Sequence, residues 1–270
     1  MELEQIKKIT EPRNEKEGEE LILLKDVEDL KMSHHFSTGF GSLDDKLMGG
    51  LRGGNLMILS GYSGRGKTLY SLNLIKKFSN NGLPVLLFSY EESGSAIKWK
   101  MKNMGIDVEK VFCFVPKKLS SDRVDWLENK IKDGIANYLI EIVIIDNLDF
   151  LTAETGLNEN DKWSMQSRIV GMLKRIAIEN DIAIILNAHV GKDKEEKEPR
   201  MQDLYGSGDV YKLADFVVFI HRLREIPLGR TARIDMPFSN RSRIILDKNR
   251  WTGLMGSFDV EYREGEFYEV

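Results

Sequence analysis

The sequence carries a single cysteine, Cys113, in 270 residues. No disulfide can form within the chain, and the apolar run VFCFV around the thiol reads as buried core in a reducing compartment. Long apolar runs are missing too. None approaches the ~18–20 residues of a membrane helix. The N-terminus, MELEQIKK, lacks the apolar segment of a signal peptide, so the expectation is a cytoplasmic protein with no membrane partner. Basic charge is not in excess: 39 Lys and Arg against 43 Asp and Glu leave a net charge of −4. Global attraction to nucleic acid is therefore not expected, and a nucleic-acid site would have to be a local patch or a product of assembly. No internal repeat or low-complexity block stands out. What the chain does have is 41% apolar residues, enough to fill the core of one large domain or two small ones.

The charge is unevenly spread. Residues 1–31 hold ten acidic and six basic side chains, so the net acid lies there and residues 32–270 balance to zero. Within that arm Leu23, Leu24, Val27 and Leu30 could line one face of a helix. It reads either as a frayed, solvated arm or as a short helix that docks on a neighbouring subunit. The chain changes character at residue 36, which sets the expected division: an N-terminal arm over 1–35 and one domain over 36–270. From there strand-like and helical runs alternate. Strands are expected at NLMILSG (55–61), PVLLFSY (84–90), LIEIVIID (139–146), IAIILNAH (182–189) and DFVVFIHR (215–222). Helices are expected at KTLYSLNLIKKFSNNG, at SAIKWKMKNMG, at SSDRVDWLENKIKDGIANY with a good cap, and at SMQSRIVGMLKRIAIEND. Such alternation implies an α/β fold, with a mostly parallel sheet covered on both faces. The tail, RSRIILDKNR and GSFDVEYREGEFYEV, reads as antiparallel strands. Ligands of such sheets gather at the carboxyl ends of the strands, and most of the polar signals fall there.

The stretch GYSGRGKT (61–68) follows the first strand and opens a helix. Gly61, Gly64 and Gly66 let the backbone curl into a nest of inward-pointing N–H groups, and the helix N-terminus adds its positive dipole end. Lys67 supplies a point charge for the outer phosphates and Thr68 a hydroxyl for Mg²⁺. Asp146, ending the apolar run IVIID, is the expected second anchor of the metal, directly or through water; the plain alternative is a helix cap. FSYEES (88–93) ends its strand with two carboxylates. Glu91 is the candidate to polarise the attacking water, with Glu92 turned away or paired with a cation. Asn187-Ala188-His189 ends the fourth strand, where a polar side chain could touch both a γ-phosphate and whatever lies beyond it; His189 is the candidate sensor, against the plain reading of a structural histidine.

These motifs, in this order, resemble the hexameric replicative helicases with a RecA-type core: the bacterial DnaB-type enzymes, the phage helicase-primases and mitochondrial Twinkle. The resemblance runs from about Phe36 to the C-terminus. FSTGFGSLDDKLMGGLRGGNLMILSGYSGRGKT resembles the entry segment and phosphate loop, FSYEES the family's F-S-L-E-M-S, and IIDNLDFL the metal-binding strand, in a Twinkle-like form. NAHV is similar to the phage form of the sensor, DLYGSGDVYKLADFVVFIHR (203–222) to the segment with the second DNA-binding loop, and ILDKNRWTG (245–253) to the segment with the arginine finger. The resemblance implies a RecA-like P-loop core that takes ATP, or another NTP, with Mg²⁺. Nucleotide contacts would come from Gly61, Ser63, Gly64, Arg65, Gly66, Lys67, Thr68 and Leu69, with Arg222 and Tyr262 holding the base. Catalysis would fall to Glu91, Lys67 and His189, and to Arg250 with Lys248 beside it, acting on a neighbour's ATP. Single-stranded DNA would pass through the ring along two loops. The first is TAETGLNENDKW (152–163); the second (191–209) holds Lys192, Lys194, Lys197, Arg200, Tyr205, Gly206, Ser207 and Gly208. Glycine N–H groups can approach phosphate without charge, which would reconcile DNA binding with a neutral subunit.

The large N-terminal region of these relatives is not seen before residue 36, and no zinc-binding cysteine set or acid cluster there suggests a primase. A primase, polymerase or loader would be a partner instead, and a nucleoid-associated protein encoded by a phage or mobile element would suit such compactness. Two other readings stay open: a recombinase-like or KaiC-like ATPase that binds DNA without unwinding it, and a non-catalytic assembly or loader module. The intact set of Lys67, Thr68, Glu91 and Asp146 argues against the second.

Overall fold

In the computed structural model the described residues are 23–26, 35–115, 123–152, 158–191, 197–204, 208–225 and 236–270. The chain divides into two units, 1–34 and 35–270. Of the first, the described part is a 3-10 turn at Leu24–Asp26 in which Leu23 and Leu24 are exposed. Val27 and Leu30, the other half of the expected helical face, lie outside the described residues.

The second unit is built on one nine-stranded sheet. Its strands are β1 (Leu56–Gly61), β2 (Val85–Ser89), β3 (Val111–Phe114), β4 (Ile142–Asp146), β5 (Ala183–His189), β6 (Phe216–Arg224), β7 (Phe238–Asn249), β8 (Gly256–Arg263) and β9 (Glu266–Glu269). They lie side by side in the order β3-β2-β4-β5-β1-β6-β7-β8-β9. The first six in that order are parallel and the last three antiparallel. The described helices are α1 (Gly41–Lys46), α2 (Lys67–Asn80), α3 (Gly94–Asn103), α4 (Arg123–Tyr138), α5 (Leu148–Thr152), α6 (Glu159–Asn180) and α7 (Gly208–Leu213).

Alternation along the parallel strands feeds two cores. Met57 and Leu59 of β1 join Ile142 and Ile144 of β4 in a core that also takes Leu72 and Ile75 of α2 and Ile97 and Met101 of α3. Leu56 and Ile58 point the other way, with Val143 and Ile145, into a core filled by α4, α6 and α7. Both faces are covered, which is why the parallel strands read as unbroken apolar runs. β7 alternates buried and half-exposed residues instead: only one face of the antiparallel end is well covered.

Several elements differ from the sequence expectation. Cys113 is exposed, not core. It lies on β3, a strand the sequence reading missed, at the sheet's outer edge, where only β2 pairs with it. An unexpected helix, α5, leads up to Thr152, the first residue of the expected first loop, because the Asn147 side chain accepts the N–H groups of Asp149 at 3.0 Å and Phe150 at 3.3 Å and turns the chain into a helix. Helix α6 begins earlier than expected, at Glu159, where the Asn158 side chain caps it by accepting the Asp161 N–H at 2.9 Å. The end of that expected loop is therefore helical. The cap expected before α4 lies outside the described residues.

Candidate active site

Parallel pairing brings four strand ends together. Gly61 sits beside His189 across β1 and β5, and Ser89 beside Asp146 across β2 and β4. The phosphate loop leaves β1 there. At Gly61 any Cβ would lie 2.6 Å from the Ile220 carbonyl oxygen, so a side chain is excluded where the loop peels away from β6. Gly66 precedes α2 with φ 102°, a left-handed conformation that suits glycine.

Lys67 is 6% exposed. Its ammonium donates to the carbonyls of Gly61 at 2.8 Å and Tyr62 at 3.2 Å, and lies 3.0 Å from His189 Nδ1. No carboxylate is within ion-pair distance of it among the described residues, and burial pushes its pKa down to about 8, against the pull of Asp146, Glu91 and Asp149. A buried cation resting on carbonyl oxygens is what a phosphate site requires. Thr68 Oγ1 donates to Asp146 Oδ2 at 2.7 Å, and Asn187 Nδ2 donates to Asp146 Oδ1 at 2.9 Å while exchanging a hydrogen bond with Ser71. One hydroxyl and one oriented carboxylate make a hard-oxygen pair that fits Mg²⁺, with phosphates and waters completing its six ligands.

Glu91 points into the same place. Its Oε1 accepts from Asn147 Nδ2 and lies 3.6 Å from His189 Nε2. Burial raises its pKa, with the negative charge of Asp146 adding to the effect. Glu92 instead pairs with Lys100. His189 receives donors on both sides, since its Nε2 is 3.0 Å from Asn147 Nδ2, and burial beside Lys67 lowers its pKa. A cleft of about 590 Å³ opens over this set. Ser63, Gly64, Gly66 and Leu69 line it, as do Leu72, Trp99, Met104 and Tyr262. Trp99 is 67% exposed and belongs to neither core.

The sequence reading passed over Asn147, Asn187 and Trp99. The signals were there: an amide follows the acid in IIDNL, another precedes the histidine in LNAH, and a tryptophan stands among lysines in KWKMK.

Residues 27–195, more than half of the chain, match the AAA domain family. The chain belongs to that family. Over 259 residues this AAA domain is 26% identical to the replicative DNA helicase DnaB of Mycoplasma pneumoniae (strain ATCC 29342 / M129 / Subtype 1), a match covering 84% of the chain and 54% of the relative. Over 180 residues it is 25% identical to the DNA repair protein RadA of Streptococcus pyogenes serotype M6, covering 67% of the chain and 37% of the relative. The AAA domain thus spans about half the length, or less, of these relatives. Among solved structures, a DnaB-like replicative helicase matches with a TM-score of 0.69 at 20% identity, over 86% of this chain and 63% of that one. A solved ATPase domain matches with a TM-score of 0.71, also at 20% identity, over 87% of this chain and 91% of that one. The expected RecA-like core and kinship with the DnaB-type helicases are both borne out.

The remaining expected residues are scattered. Arg250 donates to the Lys212 carbonyl at 2.5 Å and faces Asp215 at 3.5 Å; Lys248 donates to the carbonyls of Tyr211 at 2.6 Å and Lys212 at 3.0 Å. Asp215 in turn accepts from the N–H of Leu56 at 2.8 Å. Arg250 therefore stands at the amino end of β1, and the phosphate loop at its carboxyl end. Tyr262 lines the cleft, whereas Arg222 does not: its Nε donates to the Ser239 carbonyl at 2.9 Å. Arg65 and Arg224 lie over the Phe238 ring, 3.7 and 4.2 Å from its centroid. Lys197 and Arg200 are exposed on a loop closed at its base by pairing of Val190 with Leu204, and Gly208 opens α7. Lys192, Lys194, Tyr205, Gly206 and Ser207 lie outside the described residues. Among the described residues, no helix is long and apolar enough to cross a membrane.

Proposed function

We propose that this AAA domain is the motor of a replicative-type DNA helicase. It hydrolyses ATP at subunit boundaries of a ring, taken as a hexamer, and translocates 5′ to 3′ on single-stranded DNA. The observation that carries the reading is the split between a complete cleft and a distant guanidinium. Lys67, Thr68, Glu91 and Asp146 converge on one strand end, while Arg250 sits at the other end of β1, five residues away, about 16 Å at ~3.3 Å per residue. Arg250 cannot serve its own cleft, so its place in catalysis is a neighbour's. Thr68 and Asp146 would hold Mg²⁺, which supplies charge neutralisation to the phosphates. Lys67 meets the outer phosphates, Glu91 accepts a proton from water, and His189 reads the γ-phosphate. Tyr262, on the cleft wall, would stack on the base, whereas Arg222, engaged with the Ser239 carbonyl, would reach it only by leaving that bond; Lys248 would support Arg250. The loop carrying Lys197 and Arg200 begins two residues beyond His189, which gives a short route from phosphate to DNA. Residues 1–35 would dock on the next subunit, and a primase, polymerase or loader would join from outside. The working place is the cytoplasm or the nucleoid.

A second reading has one observation in its favour, the similarity to a DNA repair protein: a DNA-dependent ATPase without unwinding. ATP turnover with and without single-stranded DNA, alongside strand displacement on a forked duplex, separates the two. DNA-stimulated turnover with displacement supports the helicase. Stimulation without displacement supports the second reading, and no turnover in either condition removes both.

A further inference from the structure

Asn147 is 1% exposed, and both ends of its carboxamide are committed. Its Oδ1 accepts the N–H groups of Asp149 and Phe150 at the start of α5. That fixes which end is oxygen and leaves Nδ2 facing the cleft with two hydrogens to give. One goes to Glu91 Oε1 and the other faces His189 Nε2 at 3.0 Å. On the far side of the imidazole ring, Lys67 Nζ faces Nδ1 at 3.0 Å. A neutral imidazole has one acceptor nitrogen, yet two donors reach it, so it satisfies Lys67 or Asn147 and not both.

We propose that Asn147 is a positioning residue for hydrolysis. It holds the Glu91 carboxylate by one oxygen, leaving the other for the attacking water, and links that carboxylate to His189. The inference rests on Glu91 being the general base. An anion that draws the Lys67 ammonium away from Nδ1 frees the ring to accept from Asn147 through Nε2. The occupied cleft is thereby tied to the carboxylate through Lys67, His189 and Asn147. Asn147 touches no reacting atom; it acts through Glu91.

The test is a double-mutant cycle on single-turnover ATP hydrolysis, with nucleotide affinity and melting temperature measured on every variant. Asn147→Leu removes both hydrogen-bonding ends at similar volume. Asn147→Asp keeps the oxygen that starts α5 and replaces only the donor, so it serves if the leucine variant does not fold. Either substitution is expected to lower the hydrolysis rate at least ~10-fold, part of the ~10²–10⁴ that a general base contributes, with nucleotide affinity unchanged within about twofold of wild type. In the Glu91→Gln background the same substitution is expected to cost no further rate, because its effect passes through Glu91. A merely structural role would give additive losses and weaker nucleotide binding. Wild-type rates in Asn147→Asp, or additivity with Glu91→Gln, would overturn the inference. Wild-type turnover in Glu91→Gln alone would overturn the base assignment beneath it.

Discussion

Two separately inactive variants, mixed, should restore ATP turnover to one another. Lys67→Ala removes the phosphate cation, and Arg250→Ala removes the guanidinium at the opposite end of β1. Each is expected to fold. Burial holds the Lys67 ammonium at about 8 against an ordinary 10.5, so its charge costs stability below pH 8, and that cost fades as pH rises towards 10.5. Alanine therefore removes that electrostatic cost. Asp215, the acid facing Arg250, keeps Lys174 at 2.6 Å and the Leu56 N–H at 2.8 Å when the arginine is gone. Alone, Arg250→Ala should lose ~10³–10⁵ in rate, the usual worth of such a group, and Lys67→Ala should be no better.

The magnitude of recovery follows from who supplies what. In a head-to-tail ring each site takes its phosphate loop from one subunit and its arginine from the next. In an equal mixture, a loop with lysine occurs at half the sites and an arginine-bearing neighbour at half, so about one quarter of sites are whole. Steady-state turnover should rise to between ~1% and ~25% of wild type, the lower figures applying if firing is coordinated around the ring. Subunits are mixed as monomers before nucleotide is added, and turnover is followed by phosphate release. If each chain used its own Arg250, no mixture could contain a whole site. Turnover no higher than the average of the two separate variants would refute the trans arrangement.

The other predictions concern the frame and the ligands. Asp215→Ala should strip Lys174 of its buried partner and leave the Leu56 N–H without an acceptor, costing ~3–5 kcal/mol in denaturant unfolding; a loss under ~1 kcal/mol would contradict this. Trp99 lines the cleft and is 67% exposed, so nucleotide binding should change its fluorescence, and Trp99→Ala should weaken affinity by several-fold, in line with ~0.5–1.5 kcal/mol for an aromatic stack. An unchanged emission difference between wild type and Trp99→Phe on adding nucleotide would remove it from the site. Binding of single-stranded DNA should fall steeply with salt, with a log–log slope reduced by about 0.7 for each of Lys197→Ala and Arg200→Ala if each meets one phosphate; unchanged slopes would place the DNA elsewhere.

The fold was legible wherever burial on both faces left an apolar run. β1, β2, β4, β5 and β6 all appear within a few residues of their expected bounds. β3 escaped because an edge strand is only half buried: VFCFV looked like core when its thiol in fact faces outward. Helices α1 and α5 escaped for another reason. Each is five or six residues long, too short for a period to register, and each is fixed by a polar side chain: Asp44 accepting from Thr38, and Asn147 accepting from Asp149 and Phe150. At the site, motifs identify residues whose chemistry meets the ligand. They pass over those whose partners are other side chains. Asn187 and Asn147 are amides chosen by Asp146, Glu91 and His189, which come from separate strand ends, and no spacing along one strand reveals that meeting.

The same meeting explains how a chain with a net charge of −4 could work on a polyanion. Its basic groups are not a diffuse field; several are engaged within the molecule. Lys67 is buried on carbonyls, Lys248 and Arg250 rest on the carbonyls of α7, and Lys174 pairs with Asp215. Lys197 and Arg200, by contrast, stand exposed on the loop that starts after His189. That loop is tied back to the phosphate loop, since the buried Tyr62 hydroxyl donates to the Lys197 carbonyl at 3.5 Å and Val190 pairs with Leu204 at its base. Two short links therefore join the loop to the cleft, one through β5 and one through Tyr62. A shift of Lys67 towards phosphate would reach both, because Lys67 Nζ bonds the Tyr62 carbonyl as well as His189. On the proposed helicase reading, coupling between nucleotide and strand would then need no large basic surface, only a few exposed cations on a loop linked to the cleft.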